Sequence, residues 1–68
     1  MRYAVIFEKC ESSFGAYVPD LPGCMAVGES LAEAKTLIAQ AMKQHLDSLK
    51  TDGQRPPEPT CIAAYIDA

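Results

Sequence analysis

Alternating apolar side chains mark three short extended runs in the first part of the chain. Residues Arg2–Cys10 are apolar on both faces until Glu8 is reached, which predicts a central strand. The polar turn Glu11–Ser13 separates this run from a second one, Phe14–Val18, and a third short run covers Cys24–Val27. We therefore expect an antiparallel meander of three strands.

A proline-rich corner joins the second and third strands. Pro19 and Pro22 fix φ and cannot donate to a sheet ladder, and Gly23 can adopt a positive φ, so a rigid turn is predicted. Asp20 lies between the two prolines. Two interpretations of Asp20 stay open: a turn residue that bonds its own backbone, which is favoured, or a direct contact to a partner.

The apolar period changes to that of a helix after the third strand. From Leu31 to about Lys50 the apolar residues form one stripe of an amphipathic helix. Ser30 followed three residues later by Glu33 predicts a capping box, in which each side chain bonds a free backbone N–H at the helix start. Gly53 is the expected C-terminal cap.

The remaining residues predict a return to the sheet. Arg55–Thr60 is a short, proline-dense connector, and Cys61–Ile66 is apolar on both faces of an extended segment. A right-handed crossover would bring this last strand beside strand 1 and parallel to it. The predicted fold is α+β, a single domain over residues 1–68 with the element order βββαβ and the strand order 3-2-1-4.

One helix can cover only one face of such a sheet. Because strands 1 and 4 are apolar on both faces, the second face is expected to be an interaction surface, unless long side chains and loops cover it. A domain this small also gains stability from a partner subunit. We therefore expect a homodimer or homotetramer, with the oligomer face formed by Tyr3, Val5, Phe7 and Tyr65.

The charge balance favours a protein partner. The net charge is −3, and the six lysines and arginines are dispersed, which disfavours binding to a phosphate backbone. An acidic surface suits a basic protein, although it is also an ordinary solubility feature. The residues expected to contact such a partner are Glu8, Glu11, Asp20, Leu21 and Glu29. No signal peptide or apolar run of membrane-spanning length is recognised, so a cytoplasmic protein is expected.

The cysteines show no metal or redox pattern. Cys10, Cys24 and Cys61 are widely spaced without a C-x-x-C pair, and His45 is the only imidazole. We expect the cysteines to be buried or half-buried small hydrophobic residues, and His45 to pack on the apolar side of the helix. No cofactor and no metal site are predicted.

Three motifs together resemble a known family. They are Tyr17-Val-Pro-Asp-Leu-Pro-Gly-Cys24, then Gly28-Glu-Ser-Leu-Ala-Glu-Ala34, then Pro56-Pro57 ahead of the last predicted strand. This combination resembles the HicB-like antitoxin family, whose namesake is the partner of the HicA toxin. The resemblance implies a partial ribonuclease-H-like fold and a protein that binds and silences a small basic toxin, which cleaves messenger RNA through a histidine. It implies inhibition by steric masking.

Family members commonly carry a second, DNA-binding domain after this one. Since the chain ends at Ala68, directly after the last predicted strand, we expect no C-terminal DNA-binding domain and no direct contact with nucleic acid. Two alternatives to the antitoxin stay open. One is an oligomeric binding module without a toxin partner. The other, less favoured, is a metal-dependent nuclease using Glu8, Glu33 and Asp67, but no enzyme is predicted.

Overall fold

Three antiparallel strands and one helix follow each other along the chain. The computed structural model describes all 68 residues, Met1–Ala68. The elements are β1 (Ile6–Lys9), β2 (Phe14–Tyr17), β3 (Met25–Gly28) and α1 (Leu31–Thr51). The predicted meander and helix are both present. The sheet order is β1-β2-β3, so β2 is the central strand and β1, which was expected to be central, lies at an edge.

The strand register divides the sheet residues between two faces. Phe7, Ala16 and Ala26 form one row across the sheet, and this row faces α1, which packs on β2 and β3. The rows on either side of it point the other way, because successive side chains of a strand alternate. These rows are Ile6–Tyr17–Met25 and Glu8–Gly15–Val27. We call the surface that these two rows form the outer face.

The hydrophobic core lies between the sheet and α1. Its buried members are Ala16, Val18, Leu21, Cys24, Ala34 and Ile38. Leu21 has no solvent exposure at all, because the proline corner folds its side chain inward. Three backbone hydrogen bonds close this corner, from Val18 N to Cys24 O (3.2 Å), from Leu21 N to Val18 O (3.1 Å) and from Cys24 N to Leu21 O (3.0 Å). Gly23 has a φ of 83°, as the turn requires.

Both ends of α1 are capped by the residues that the sequence predicts. The Ser30 hydroxyl accepts a hydrogen bond from Glu33 N (3.1 Å), and Glu33 Oε1 accepts one from Glu29 N (2.9 Å), one residue earlier than in a standard capping box. At the other end Gly53 has a φ of 75° and donates to Lys50 O (3.1 Å). Gln54 N also donates to Leu49 O (2.8 Å), which completes a Schellman cap.

The predicted fourth strand is wrong. The chain has the order β-β-β-α, so neither βββαβ nor the strand order 3-2-1-4 describes it. Residues 61–68 are exposed and form no strand, and no backbone hydrogen bond joins them to β1. An apolar alternating run has strand propensity, but pairing depends on how the preceding connector is held. Here that connector is bonded to the body of the domain and leaves the following residues standing away from the sheet.

The helix is not a membrane span. Although α1 has 21 residues, its composition is not apolar enough for it to cross a bilayer.

Candidate protein-interaction surface

The outer face is an apolar surface of the sheet that the fold leaves open. Met25 and Val27 on β3 are 68% and 67% exposed, and Tyr17 on β2 is 39% exposed. Ile6 on β1 is half-buried beside them. These four side chains form one continuous surface, because the register places them in adjacent rows of the sheet. Apolar side chains that gather in this way on one exposed face are typical of interaction sites.

A shallow depression lies in the middle of the outer face. Its volume is about 200 Å³. A Cβ atom added to Gly15 would meet no atom within 4 Å, so the absence of a side chain there leaves the floor open. The lining residues are Glu8, Cys10, Gly15, Ala16, Tyr17, Met25, Ala26 and Val27. The depression is therefore mostly apolar, with one carboxylate at its β1 side.

The acidic residues proposed for partner binding are spread over the surface. Glu8, Glu11 and Glu29 are all exposed, and Glu8 alone belongs to the outer face. Leu21 cannot contact a partner in this structure, because its side chain is fully buried in the core. The physical reason is that Pro19 and Pro22 turn the chain so that Leu21 points inward. The sequence does not show this direction, because turn residues are usually exposed.

Asp20 has a different role from the two that the sequence left open. Its Oδ1 accepts a hydrogen bond from Thr60 Oγ1 (2.7 Å), and its Oδ2 accepts two more, from Thr60 N and Cys61 N (3.1 Å each). The hydrogen bond from the Thr60 hydroxyl is the main reason that the pKa of Asp20 is lowered from its ordinary value, with the Cys61 N–H contributing next. Asp20 thus ties the proline corner to the end of the connector, 40 residues away.

A second tether lies beside it. The Tyr3 hydroxyl donates to Pro57 O (2.6 Å), so the connector is bonded to the N-terminal segment as well. Tyr3, Val5 and Phe7 pack against the core on the α1 side of the sheet. These three residues do not belong to the outer face. Tyr65, which follows the connector in the chain, is fully exposed. That these residues contact a second copy stays a prediction.

The candidate catalytic groups are not gathered into a site. Glu8, Glu33 and Asp67 do not form a group that could hold a metal ion. Glu33 caps the helix instead, and His45 is half-buried on α1 as expected.

The cysteines differ from one another in exposure. Only Cys24 is buried, and its burial raises the pKa of the thiol. Cys10 and Cys61 are exposed, so the expectation that all three are covered is wrong for these two. Cys10 directly follows β1 and Cys61 begins the exposed residues after the connector, so no second layer covers either of them.

The uncovered sheet face expected from the sequence includes Tyr3, Val5 and Phe7, whereas in the structure these three side chains pack against the core and other residues lie on the exposed face. The residues that this expectation missed are Ile6, Tyr17, Met25 and Val27. A signal was present in the third strand, where Met25 and Val27 flank the smaller Ala26. Met25 and Val27 share one face of the strand. The opposite face carries Ala26, and a helix can pack closely only against small side chains.

Known proteins match almost the whole chain. The matching family model is described as the HicB_like antitoxin of bacterial toxin–antitoxin systems, and it covers residues 3–68. An uncharacterized 14.9 kDa protein from the rep-hol intergenic region of Haemophilus phage HP1 is 31% identical over 67 residues. That match covers 98% of this chain and 50% of the phage protein, so the chain spans about half of that relative's length.

Two further relatives are closer in size. A UPF0150 protein of Thermoplasma acidophilum is 36% identical over 58 residues, which is 84% of either chain. A UPF0150 protein of Helicobacter pylori is 38% identical over 52 residues, 76% of this chain and 72% of its own. With the match over residues 3–68, the chain belongs to the HicB-like antitoxin family of bacterial toxin–antitoxin systems.

Proposed function

We propose that this chain is an antitoxin that binds a small, basic, messenger-RNA-cleaving toxin of the HicA type and masks it. It acts in the cytoplasm, where such a toxin meets its substrate, and it does so as a homodimer or homotetramer. The toxin docks on the outer face. The observation that carries this proposal is the exposed apolar surface of Tyr17, Met25 and Val27 in a chain of an antitoxin family.

The composition of the outer face suits a long cationic side chain. An arginine or lysine buries its aliphatic stem on apolar surface while its charged head bonds a carboxylate. The depression above Gly15 offers apolar walls from Tyr17 and Val27 and a carboxylate from Glu8. A basic toxin residue could therefore fill it.

The overall charge supports the same partner. The chain carries a net charge of −3 and has a pI of about 4.8. Opposite net charges accelerate encounter and align the partners before apolar contacts form. The exposed Glu11 and Glu29 contribute to this long-range attraction without a place on the outer face.

Binding of this kind inhibits by occlusion. A folded domain seated on the RNA-binding side of the toxin keeps a large polyanion away from the catalytic histidine. The antitoxin then needs no reactive group of its own.

The test uses a purified small basic toxin of the HicA type. The purified toxin should cleave messenger RNA, and the wild-type chain should suppress the cleavage and co-purify with the toxin. We expect Met25→Lys to weaken toxin binding at least about tenfold, ~1.4 kcal/mol, because it places a cation among apolar contacts and repels a basic partner. Isothermal titration calorimetry measures the affinity.

The matched control is Ala39→Lys. Ala39 is exposed on α1, away from the sheet, so this variant has the same charge change without touching the outer face. It should bind the toxin like the wild type. Equal affinities for the two variants would contradict docking on the outer face, and failure of the wild type to suppress cleavage would contradict the antitoxin function.

A further inference from the structure

The fold accounts for every glycine of the chain except Gly15. Gly23 and Gly53 have positive φ values, and a Cβ atom on Gly28 would lie 2.7 Å from the backbone of α1. Gly15 has neither reason, because its φ is not positive and a Cβ atom there would meet nothing within 4 Å. A glycine inside a strand weakens the strand, since it has more backbone entropy to lose and no side chain to pack. Such a glycine is typical of a place where another molecule approaches the backbone closely.

The missing side chain opens a slot in the outer face. In the sheet register Gly15 of the central strand lies between Glu8 of β1 and Val27 of β3. Because neighbouring strands are ~4.8 Å apart, the Cα atoms of Glu8 and Val27 are about 10 Å apart, with no side chain between them. Tyr17 lies two residues further along β2 on the same face and closes one end. We call the space above Gly15 between these three side chains the Gly15 slot, and all four residues line the depression.

The Glu8 carboxylate in this slot has no partner. The side-chain hydrogen bonds of the chain are all made by other residues. Lys9, the cation beside it in the sequence, lies on the opposite face of the sheet, because the side chains of a strand alternate. Among the strand residues of the outer face, Glu8 is therefore the one charge in apolar and aromatic surroundings.

We propose that the Gly15 slot receives one arginine side chain of the toxin, and that Gly15 and Glu8 determine which toxins this chain accepts. This inference rests on the function proposed above and names the chemical group that the outer face recognises. The guanidinium lies over the β2 backbone at Gly15, stacks on Tyr17 and donates two parallel hydrogen bonds to Glu8. The aliphatic stem of the arginine packs on Val27.

Arginine suits these walls better than lysine. A guanidinium is planar, stacks on aromatic rings and presents paired N–H groups that match both oxygens of a carboxylate. It is also more weakly hydrated than an ammonium group, so less is lost when the interface excludes water. A lysine would neutralise Glu8 as a point charge, but it would use neither the ring of Tyr17 nor the flat floor above Gly15.

The carboxylate also disfavours the other classes of occupant. An apolar anchor in the slot would bury Glu8 without a counter-charge, which is costly. An acidic anchor would be repelled by Glu8 and by the net charge of −3. A cationic anchor is the class that gains from both the carboxylate and the apolar walls.

The first test separates binding from folding at Gly15. Gly15→Val fills the slot, and because a β-branched residue suits a strand, its urea midpoint should stay the same or rise. Its dissociation constant for a purified toxin of the HicA type, measured by isothermal titration calorimetry, should nevertheless rise at least about tenfold. Gly15→Ala should give a smaller rise, because a methyl group fills less of the slot. A glycine needed only for structure would lose stability and binding together, and that result would overturn the proposal.

The second test concerns the charge in the slot. Glu8→Gln keeps the size of the side chain but removes the charged acceptor, so the dissociation constant should rise at least about tenfold. Glu58→Gln makes the same change of net charge in the exposed connector and should stay within about twofold of the wild type. Equal affinities of these two variants would overturn the role of Glu8.

A double-mutant cycle identifies the arginine. Each exposed arginine of the toxin is replaced by lysine in turn, and one replacement should weaken binding to the wild-type chain at least about tenfold. The same replacement should have little further effect on binding to Gly15→Val, because the slot is already filled. If no arginine behaves in this way, the choice of arginine is overturned.

The failure of this proposal differs from the failure of the antitoxin function. A wild-type chain that does not bind the toxin overturns both. Binding that is lost in Met25→Lys but unchanged in Gly15→Val and Glu8→Gln overturns the slot alone and leaves docking on the outer face intact.

Discussion

The two faces of the sheet are both apolar, but only one is packed. On the α1 side, Ala16 and Val18 of the β2 segment are 3% and 2% exposed, whereas Met25 and Val27 on the outer face are more than half exposed. Side-chain polarity therefore does not determine which face is the core. The position of α1 does, and α1 packs closely on β3 where Gly28 offers no side chain. The difference separates residues that stabilise the domain from residues that are free to bind.

The largest expected difference in stability is between a substitution in the core and one on the outer face. Leu21→Ala should lower the free energy of unfolding by about 2–5 kcal/mol, because the side chain is fully buried and leaves a cavity. Met25→Ala should change it by no more than about 0.5 kcal/mol, since that side chain is mostly in water. Urea denaturation followed by circular dichroism measures both. Similar losses in the two variants would show that the outer face is covered.

Substitution of one glycine on each face of the sheet compares the packing of the two faces without a change of polarity. A Cβ atom on Gly28 would lie 2.7 Å from Ala34 N, so Gly28→Ala should push α1 away and cost about 1–3 kcal/mol. A Cβ atom on Gly15 meets nothing, and Gly15→Ala should be neutral or stabilising by up to about 1 kcal/mol, because alanine has less backbone entropy to lose. The urea midpoints of the two variants should therefore move in different directions or by clearly different amounts. Equal shifts would contradict the close approach of α1 to β3.

The smallest effect concerns the tether between the corner and the connector. The pKa of Asp20 is lowered in the folded chain, so its stabilising contribution is present above the unfolded pKa and is lost as pH falls through the lower folded pKa. The amide proton shifts of Thr60 and Cys61 should follow this titration by NMR. In Asp20→Asn the shifts should stay flat, while Asp47→Asn, an exposed residue of α1, should leave the titration unchanged. A titration that persists in Asp20→Asn would rule out the tether as its source.

Local signals predicted most of the fold. The helix from Leu31 was found because a 3.6-residue period and a capping residue coincide there, and both depend only on neighbouring residues. The meander was found because the proline corner and the polar turn interrupt the alternation at two points. Strand ends were less well predicted, with β1 observed over Ile6–Lys9 rather than Arg2–Cys10, since apolar residues continue beyond the last paired one.

The errors share a physical cause. Strand 1 carries Tyr3, Val5 and Phe7 on one side and Ile6 on the other, so alternation alone could not tell which side faces α1. The fourth strand was expected because 61–66 has strand propensity, but these residues stay unpaired in a chain whose connector is bonded at Thr60 to Asp20, 40 positions away. Contacts of that range are not encoded in a local pattern.

The burial of Cys24 has a consequence for measuring this domain. A thiol with a raised pKa inside the core is a poor nucleophile, whereas Cys10 and Cys61 are open to reagents in the folded chain. Once those two are replaced by serine, alkylation of Cys24 occurs only when the core opens. Its modification rate then records the opening equilibrium of the native protein, without denaturant and without an added probe.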